Sequence, residues 1–424
     1  MSLSGRLLQT LTTCARGIGR GTVGYLAFFR ASPHTLTFGL LLTLFSSFGQ
    51  TFLISIFVPQ LLADFALDTG RFGLLYAAAT LTSAACLPWC GRLLDSLSLR
   101  LFSLATGLGL ASACFAMALS TSTAGLFLAL LGLRLAGQGL LTLTASTAMA
   151  RLFSRERGRA LSLAGLGYPL GEGLFPLAVV LLIRSCGWRL SWALIGGLVC
   201  LVLLPAMLWL LRSVPHGQRT PLGRSGRERS RISLLRNRNF YLVLPGYLFL
   251  PLVLTALFLY QVPLAESRGW TVEVMATGFI GFAAARLTGS VLIGPWIDRF
   301  GAVRLFPLLL LPICAGLIAL SLGTSPLTAL FYLTLAGVSQ GIAMPTMAAL
   351  WAEIYGVESL GAIKGTVSTV AIFSTALGPV LLGGLLQAGV PFAVIIPALG
   401  VVGLLIVAFS MLVATRIAAV VSHE

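Results

Sequence analysis

Twelve apolar runs, each about 20 residues or longer, limit what this chain can fold into. They fall near residues 36–62, 72–90, 101–120, 124–150, 160–183, 190–211, 240–262, 273–293, 305–323, 326–351, 365–388 and 391–414. A helix rises about 1.5 Å per residue, so a run of this length crosses a hydrocarbon core of roughly 30 Å. Nothing in hydrocarbon satisfies a backbone N–H or C=O, so each run has to close its hydrogen bonds internally, as a helix does. A β-barrel would instead show short alternating segments, and the sequence has none. Composition agrees with this all-α membrane class. Of 424 residues, 57% are hydrophobic and 9% charged, against roughly 25% charged in an ordinary soluble domain. A water-soluble globule cannot hide that much apolar surface.

The formal net charge of +16 comes from 28 Lys and Arg against 12 Asp and Glu. All of these cations but Arg134 and Arg286 lie between the apolar runs, not in one patch, which sets nucleic-acid binding aside. Twenty-two of them sit in the N-terminal arm, in the loops at 91–100, 151–159, 212–238 and 299–304, and at Lys364 and Arg416. The alternate loops hold only Arg71, Arg184, Arg189 and Arg268. Such a bias places both termini in the cytoplasm, in an inner or plasma membrane. Residues 1–35 read as a basic cytoplasmic arm without a signal-peptide core, and 415–424 as a short cytoplasmic tail. The Arg-rich stretch 212–239 reads as a solvated linker between six-span halves at 36–211 and 240–414, with anionic lipids of the cytoplasmic face as its partner.

The seven cysteines follow no disulfide pattern, and the three histidines lie outside the apolar runs. Neither a metal site nor a disulfide framework is expected. No phosphate loop or catalytic triad is apparent, so no cofactor and no enzymatic chemistry are expected.

The two halves repeat one another. Gly91-Arg-Leu-Leu-Asp95 follows the second run, and Gly294-Pro-Trp-Ile-Asp298 follows the eighth, 203 positions later. Gln138-Gly139 in the fourth run returns as Gln340-Gly341 in the tenth, 202 positions later. Duplicated helical units are what transporter folds are built from.

At these residues the sequence resembles the major facilitator superfamily, over the whole chain from about residue 36. The family's loop signature reads roughly G-x-L-x-D-R-x-G-x-R. Gly91, Leu93, Asp95 and Arg100 match it, whereas Ser96 and Ser98 replace the expected Arg and Gly. Gly294, Asp298, Arg299, Gly301 and Arg304 keep it better, and Arg134 with Gln138 and Gly139 resembles the family's span-four signature. The resemblance implies two pseudo-symmetric six-helix bundles and a site between them at mid-depth. It also implies a gating role for Asp95, Arg100, Asp298, Arg299 and Arg304. A carboxylate at a helix end pairs with Arg or with the positive N-terminus of a neighbouring helix, and such a bond must break when the site opens. The alternative for Asp95 and Arg100 is a pair of solvated loop charges. Ser96 suggests a looser lock than the family norm. Tyr260-Gln261-Val262-Pro263 followed by Gly269-Trp270-Thr271, with Arg286 in span eight, is similar to the monocarboxylate and oxalate/formate porter branch. In that branch the span-eight Arg holds the substrate carboxylate. An acid that some members carry one turn earlier is Phe282 here, which puts proton coupling through that position in doubt.

Three charges fall deep in apolar runs: Arg134, Glu172 and Arg286. Each costs roughly 2.5–3.5 kcal/mol on insertion scales, so each should face a partner or a wet cavity. Arg134 and Glu172 are a candidate structural pair across spans four and five. Glu172 is alternatively a proton-coupling group, with Arg134 beside it. Arg286 has no acid at its depth in its own half, and an unpaired guanidinium there suits a substrate carboxylate. Gln50, Thr51, Tyr76, Tyr168, Tyr260, Gln261 and Gln340 are further candidates to line the cavity, each with an inter-helix hydrogen bond as the plainer role. The expected function is secondary transport of a small organic anion by a monomer, with or without a proton. Efflux of amphiphilic compounds and a transport-dead receptor or scaffold are the rival readings.

Overall fold

The structure, a computed structural model, describes residues 25, 27–153, 156–213, 237–355 and 360–421. Most of the Arg-rich linker and of the N-terminal arm therefore lie outside the described residues, as do the side chains of Asp95 and Lys364. The described chain is helical, and ten of its helices are long and apolar enough to cross a membrane. A bent pair, Pro33–Gly49 and Thr51–Asp64, makes an eleventh crossing, its arms 45° apart. The helix Arg157–Leu210 has 54 residues, about 80 Å of length, which is more than two core thicknesses. It breaks at Gly187, whose φ of 77° and ψ of 167° leave the helical region and favour a residue without a Cβ. Spans five and six meet there, which brings the helices of crossing length among the described residues to twelve. The other spans are Thr69–Leu94 (two), Leu99–Leu119 (three), Thr123–Leu152 (four), Arg238–Leu259 (seven), Val272–Phe300 (eight), Ala302–Leu322 (nine), Leu327–Tyr355 (ten), Thr366–Gln387 (eleven) and Phe392–Ile417 (twelve).

One buried aliphatic and aromatic core runs through both sets of six spans, with Leu53, Phe57, Leu130 and Trp192 from the first and Val253, Phe279, Ile313 and Tyr332 from the second. Outward faces remain apolar. Leu119, Leu201 and Leu322 are 78%, 79% and 81% exposed, as expected where hydrocarbon is the solvent.

The first span is broken for a reason that bears on the site. Gln50 is extended (φ −85°, ψ 150°) between a 3-10 turn at Ser46–Gly49 and the helix that resumes at Thr51. Across from it, span four widens into a π-helix over Leu133–Leu141, a form found mostly at functional sites. Gly49 packs directly on the backbone of Leu133, Gly137 and Gln138, where any Cβ would collide.

Two faces of the molecule differ in how the halves meet. The face bearing the loops at 91–100, 151–159 and 299–304 is called the basic-loop face, and the other the far face. Toward the far face the halves are clamped. The Tyr260 hydroxyl donates to the Thr69 carbonyl at 2.7 Å and the Thr69 hydroxyl to the Gly383 carbonyl at 3.2 Å. Gln261 donates to Ser55 Oγ at 2.6 Å and to the Phe52 carbonyl at 3.1 Å. Phe52 packs on Phe279 with ring centroids 5.6 Å apart, and Arg184 pairs with Glu273 at 2.6 Å. A Cβ on Gly383 would strike both the Tyr260 hydroxyl and the Thr69 carbonyl. Glu172 and Arg286 join the halves closer to the basic-loop face than these clamp contacts do.

The four cations of the far face are all engaged. Arg71 pairs with Asp68, and Arg184 with Glu273. Arg189 donates to the carbonyls of Ala118 and Ser120 at the end of span three, and Arg268 to Leu320 and Gly323 at the end of span nine. Cations suit those helix C-termini, where carbonyls lack intrahelical partners.

Candidate functional site

The polar site lies at mid-depth, on spans one, two, four, five and eight. Arg134 is 3% exposed and is held by neutral groups. Its Nε donates to Thr80 Oγ1 at 3.1 Å, and its Nη1 to the Gly49 carbonyl at 3.2 Å and to Thr51 Oγ1 at 3.5 Å. The guanidinium lies 5.2 Å from the Tyr76 ring centroid, and the Tyr76 hydroxyl shares a 2.7 Å hydrogen bond with Thr51. The break at Gln50 is what frees the Gly49 carbonyl. The next helical amides, of Leu53 and Ile54, bond to Gln50 instead.

Glu172 on span five bonds Arg286 on span eight, across the two halves. Glu172 is largely buried, while Arg286 keeps some exposure and stands over the Tyr168 ring at 5.9 Å. The Arg286 hydrogen bond reaches Oε1 of Glu172, and the buried Oε2 has no hydrogen-bond partner. The two charged clusters are neighbours through span one. Gly49 and Thr51 touch Arg134, and Ser47 lies where a Cβ on Gly171 would project, one residue before Glu172.

This corrects two expectations. Arg134 is not the partner of Glu172, and Arg286 is not an unpaired guanidinium. The partner of Arg286 comes from the opposite half, at a depth that spacing along one half does not reveal. Of the other candidates, Thr51, Tyr76 and Tyr168 stand beside the two arginines. Gln50 is half-buried at the helix break, and its backbone conformation shapes the site. Tyr260 and Gln261 belong to the far-face clamp. Gln340 is half-buried on span ten, next to Gly341, where a Cβ would meet the Arg286 backbone.

Among the loop residues, Arg100, Asp298, Arg299 and Arg304 are exposed, and the Arg299 guanidinium lies 5.2 Å from the Phe300 ring. The backbone of Asp95 is in the second helix, and its side chain lies outside the described residues. The carboxylate that does cap a helix on this face was missed in the sequence. Glu353 of span ten accepts from the amides of Ala302 (2.7 Å) and Val303 (3.1 Å) at the start of span nine. Thr80 was missed as well, although its place four residues after Tyr76 put it on the same helix face.

The sequence profile described as Major Facilitator Superfamily matches residues 40–285 and again 255–422. The chain belongs to the major facilitator superfamily. It is thus a multi-pass membrane protein and a secondary transporter, not an enzyme. Among solved structures, the major facilitator fold is shared with a bacterial homolog of the human lysosomal transporter Spinster, in an inward-facing, unoccupied conformation. That match has 15% identity and a TM-score of 0.69, and covers 91% of this chain and 97% of that one. A mutant of the nucleoside transporter NupG matches with 15% identity and a TM-score of 0.68, over 91% of this chain and 99% of that one. At such identities the likeness is one of fold. No curated protein is similar enough in sequence to count as a match.

Proposed function

We propose that this major facilitator transporter carries small organic anions by alternating access, and that Glu172 carries a proton in the cycle. The observation supporting this is the charge set at mid-depth. Two guanidiniums, Arg134 and Arg286, share one carboxylate, Glu172, and that carboxylate is bonded to Arg286. The Arg134 charge is matched by no acid among its described partners. A buried, low-dielectric site with one net positive charge favours an anion.

The pair suits proton coupling. A proton adding to the unpartnered Oε2 of Glu172 neutralises the carboxylate and loosens its hold on Arg286. Arg286 then becomes a bidentate site for a substrate carboxylate. Proton and monocarboxylate together add no net charge to the site. The similarity of Arg286 and the span-seven exit to the monocarboxylate porter branch points the same way. On the positive-inside rule the basic-loop face is cytoplasmic. This conformation is then inward-open, with Arg100, Asp298, Arg299 and Arg304 exposed, and the loop charges, Asp95 among them, are to lock when the halves close on that side. The functional unit is the monomer.

Uptake of a panel of radiolabelled carboxylates, amino acids and nucleosides into proteoliposomes tests the reading. Carboxylates should be accumulated under an inward proton gradient, and Arg286→Gln should abolish that accumulation in a folded, monodisperse protein. Accumulation of neutral solutes only, or carboxylate accumulation undiminished in Arg286→Gln, would refute it.

A further inference from the structure

Spans five and eight pack against each other across the seam and run in opposite directions. Two ion pairs tie them. Span five supplies Glu172 and Arg184, and span eight answers with Arg286 and Glu273. Between these pairs the helices lie close, since a Cβ on Gly173 would stand 3.4 Å from the Ala283 methyl.

The same charge pattern continues toward the basic-loop face. Arg159 precedes Arg184 by 25 positions, and Asp298 follows Glu273 by 25. Twenty-five residues make about seven helical turns. Arg159 therefore returns to the side of span five that bears Arg184, and Asp298 to the side of span eight that bears Glu273. Read from the basic-loop face, span five carries Arg159, Glu172 and Arg184, and span eight carries Asp298, Arg286 and Glu273. Each charge meets its opposite at matching height. In this conformation the far-face and middle pairs are made, and the third is not. Asp298 is exposed and forms no ion pair among the described residues. Arg159, its side chain 54% exposed, pairs at 3.3 Å with Glu156 on its own helix. An exposed pair within one helix is weakly held, so Arg159 is free to exchange partners.

We infer that Arg159 and Asp298 form a lock that closes the basic-loop face. When the halves rock shut on that side, Arg184 and Glu273 separate at the far face, and Arg159 leaves Glu156 for Asp298. One charge ladder along two antiparallel helices thus holds either end closed, and only one end at a time. Such an exchange of interface ion pairs gives each conformation contacts that the other lacks. It assigns Asp298 a partner in the opposite half, and Arg159 a gating role outside the loop motif. The inference follows from the placement of charge on the two helices and holds whatever the substrate is.

The test is disulfide trapping of the closed face in proteoliposomes, in a cysteine-free background. Cysteines at Ser162 and Pro295, both exposed here and about one turn inward from Arg159 and Asp298, should cross-link under a mild oxidant. Asp298→Arg should slow the reaction about two- to fivefold, the effect of losing an exposed pair. Asp298→Asn, nearly the same in shape, should slow it as well. Arg159→Asp combined with Asp298→Arg should restore the parent's rate, and Glu273→Gln, which loosens the far face, should raise it. Failure of the cysteines to cross-link, or an unchanged rate in both Asp298 variants, would overturn the lock. A slow rate persisting in the charge-reversed double variant would overturn the pairing with Arg159. A rate unmoved by Glu273→Gln would overturn the exchange between the two ends. No substrate enters the assay, so its outcome is independent of the organic-anion reading.

Discussion

Replacing Glu172 by glutamine keeps the shape of the cross-half contact and removes its charge. In the parent, Arg286 donates to a carboxylate that is mostly shielded from solvent, with side-chain exposures of 21% for Arg286 and 11% for Glu172. The weak energetics of surface ion pairs do not apply at such burial. The amide oxygen still accepts from the charged guanidinium, a bond of about 1.5–3 kcal/mol. What is lost is the attraction between two full charges, partly offset because a neutral amide is cheaper to bury, so the amide should hold Arg286 less tightly, by about 1–2 kcal/mol. The pair joins the halves nearer the basic-loop face than the Tyr260 and Gln261 clamp does. If rocking breaks it, that difference appears as a shift of about five- to thirtyfold in the equilibrium between conformations. The assay is a pair of spin-label distances in a cysteine-free background, Thr121 with Ala388 on the far face and Arg100 with Phe300 on the basic-loop face. Glu172→Gln should lengthen the first distance and shorten the second. In transport, the variant should lose accumulation driven by a pH gradient and keep substrate counterflow, which needs no net proton movement. Distance distributions identical to the parent's would refute the latch, and normal pH-driven accumulation would refute the proton role.

Tyr260→Phe removes the hydroxyl that bonds Thr69 and should weaken the far-face clamp by about 1 kcal/mol, read as a several-fold rise in labelling of a cysteine at Thr51 from the far face. Gly383→Leu places a side chain against Tyr260 and Thr69 and should open that face more strongly than Tyr260→Phe in the same measurement; equal labelling would mean that the glycine is not needed for contact. Asp95→Asn should slow exchange in proteoliposomes with little change in substrate affinity, and Asp298→Asn should do so more mildly. Exchange at the parent's rate in both would return these carboxylates to the role of solvated loop charges. Cysteines at Gly223 and Thr271 should label from opposite sides of the membrane in intact cells, and labelling of both from outside would overturn the cytoplasmic termini.

The spans were legible in the sequence because hydrocarbon imposes one rule, about 20 apolar residues per crossing, and the break between spans five and six fell in the short basic loop from Arg184 to Arg189. The first span's bend was passed over in the sequence. Ser46-Ser47-Phe48-Gly49-Gln50-Thr51 is a polar, glycine-containing interruption of the apolar run, the kind of segment at which helices kink, and the close approach of Gly49 to the π-helix of span four accompanies the break there. The site was legible in its members more than in its pairings. Arg134, Glu172 and Arg286 stood out by the cost of burying charge, but partner choice depends on depth and rotation across two halves. Spacing alone could match Glu172 with Arg134, two spans in one half, whereas the actual partner lies 114 residues away in the other. Tyr260 and Gln261 looked like cavity residues because polar groups in a span invite that reading, yet both close the far face.

What is repeated between the halves, and what is not, separates scaffold from chemistry. The loop motif recurs from Asp95 to Asp298 and the helix-contact motif from Gln138-Gly139 to Gln340-Gly341, at offsets of 203 and 202. Those same offsets carry Arg134 to Ala336 or Gly337, Glu172 to Ser374 or Thr375, and Arg286 back to Ala84 or Ser83. None of the three mid-membrane charges has a counterpart. Two equal halves explain rocking, since each must present similar surfaces at either face. They do not explain coupling, which needs a contact whose energy differs between the two conformations. In the function proposed above, Glu172 and Arg286 supply one because the repeat is broken there, an acid in one half answering a base in the other. A symmetric duplicate with guanidiniums in both halves would repel itself at the seam, and one with two carboxylates would do the same. The asymmetry is therefore where a proton or an anion can act, and a search for function in a duplicated transporter should begin at the positions where the repeat fails.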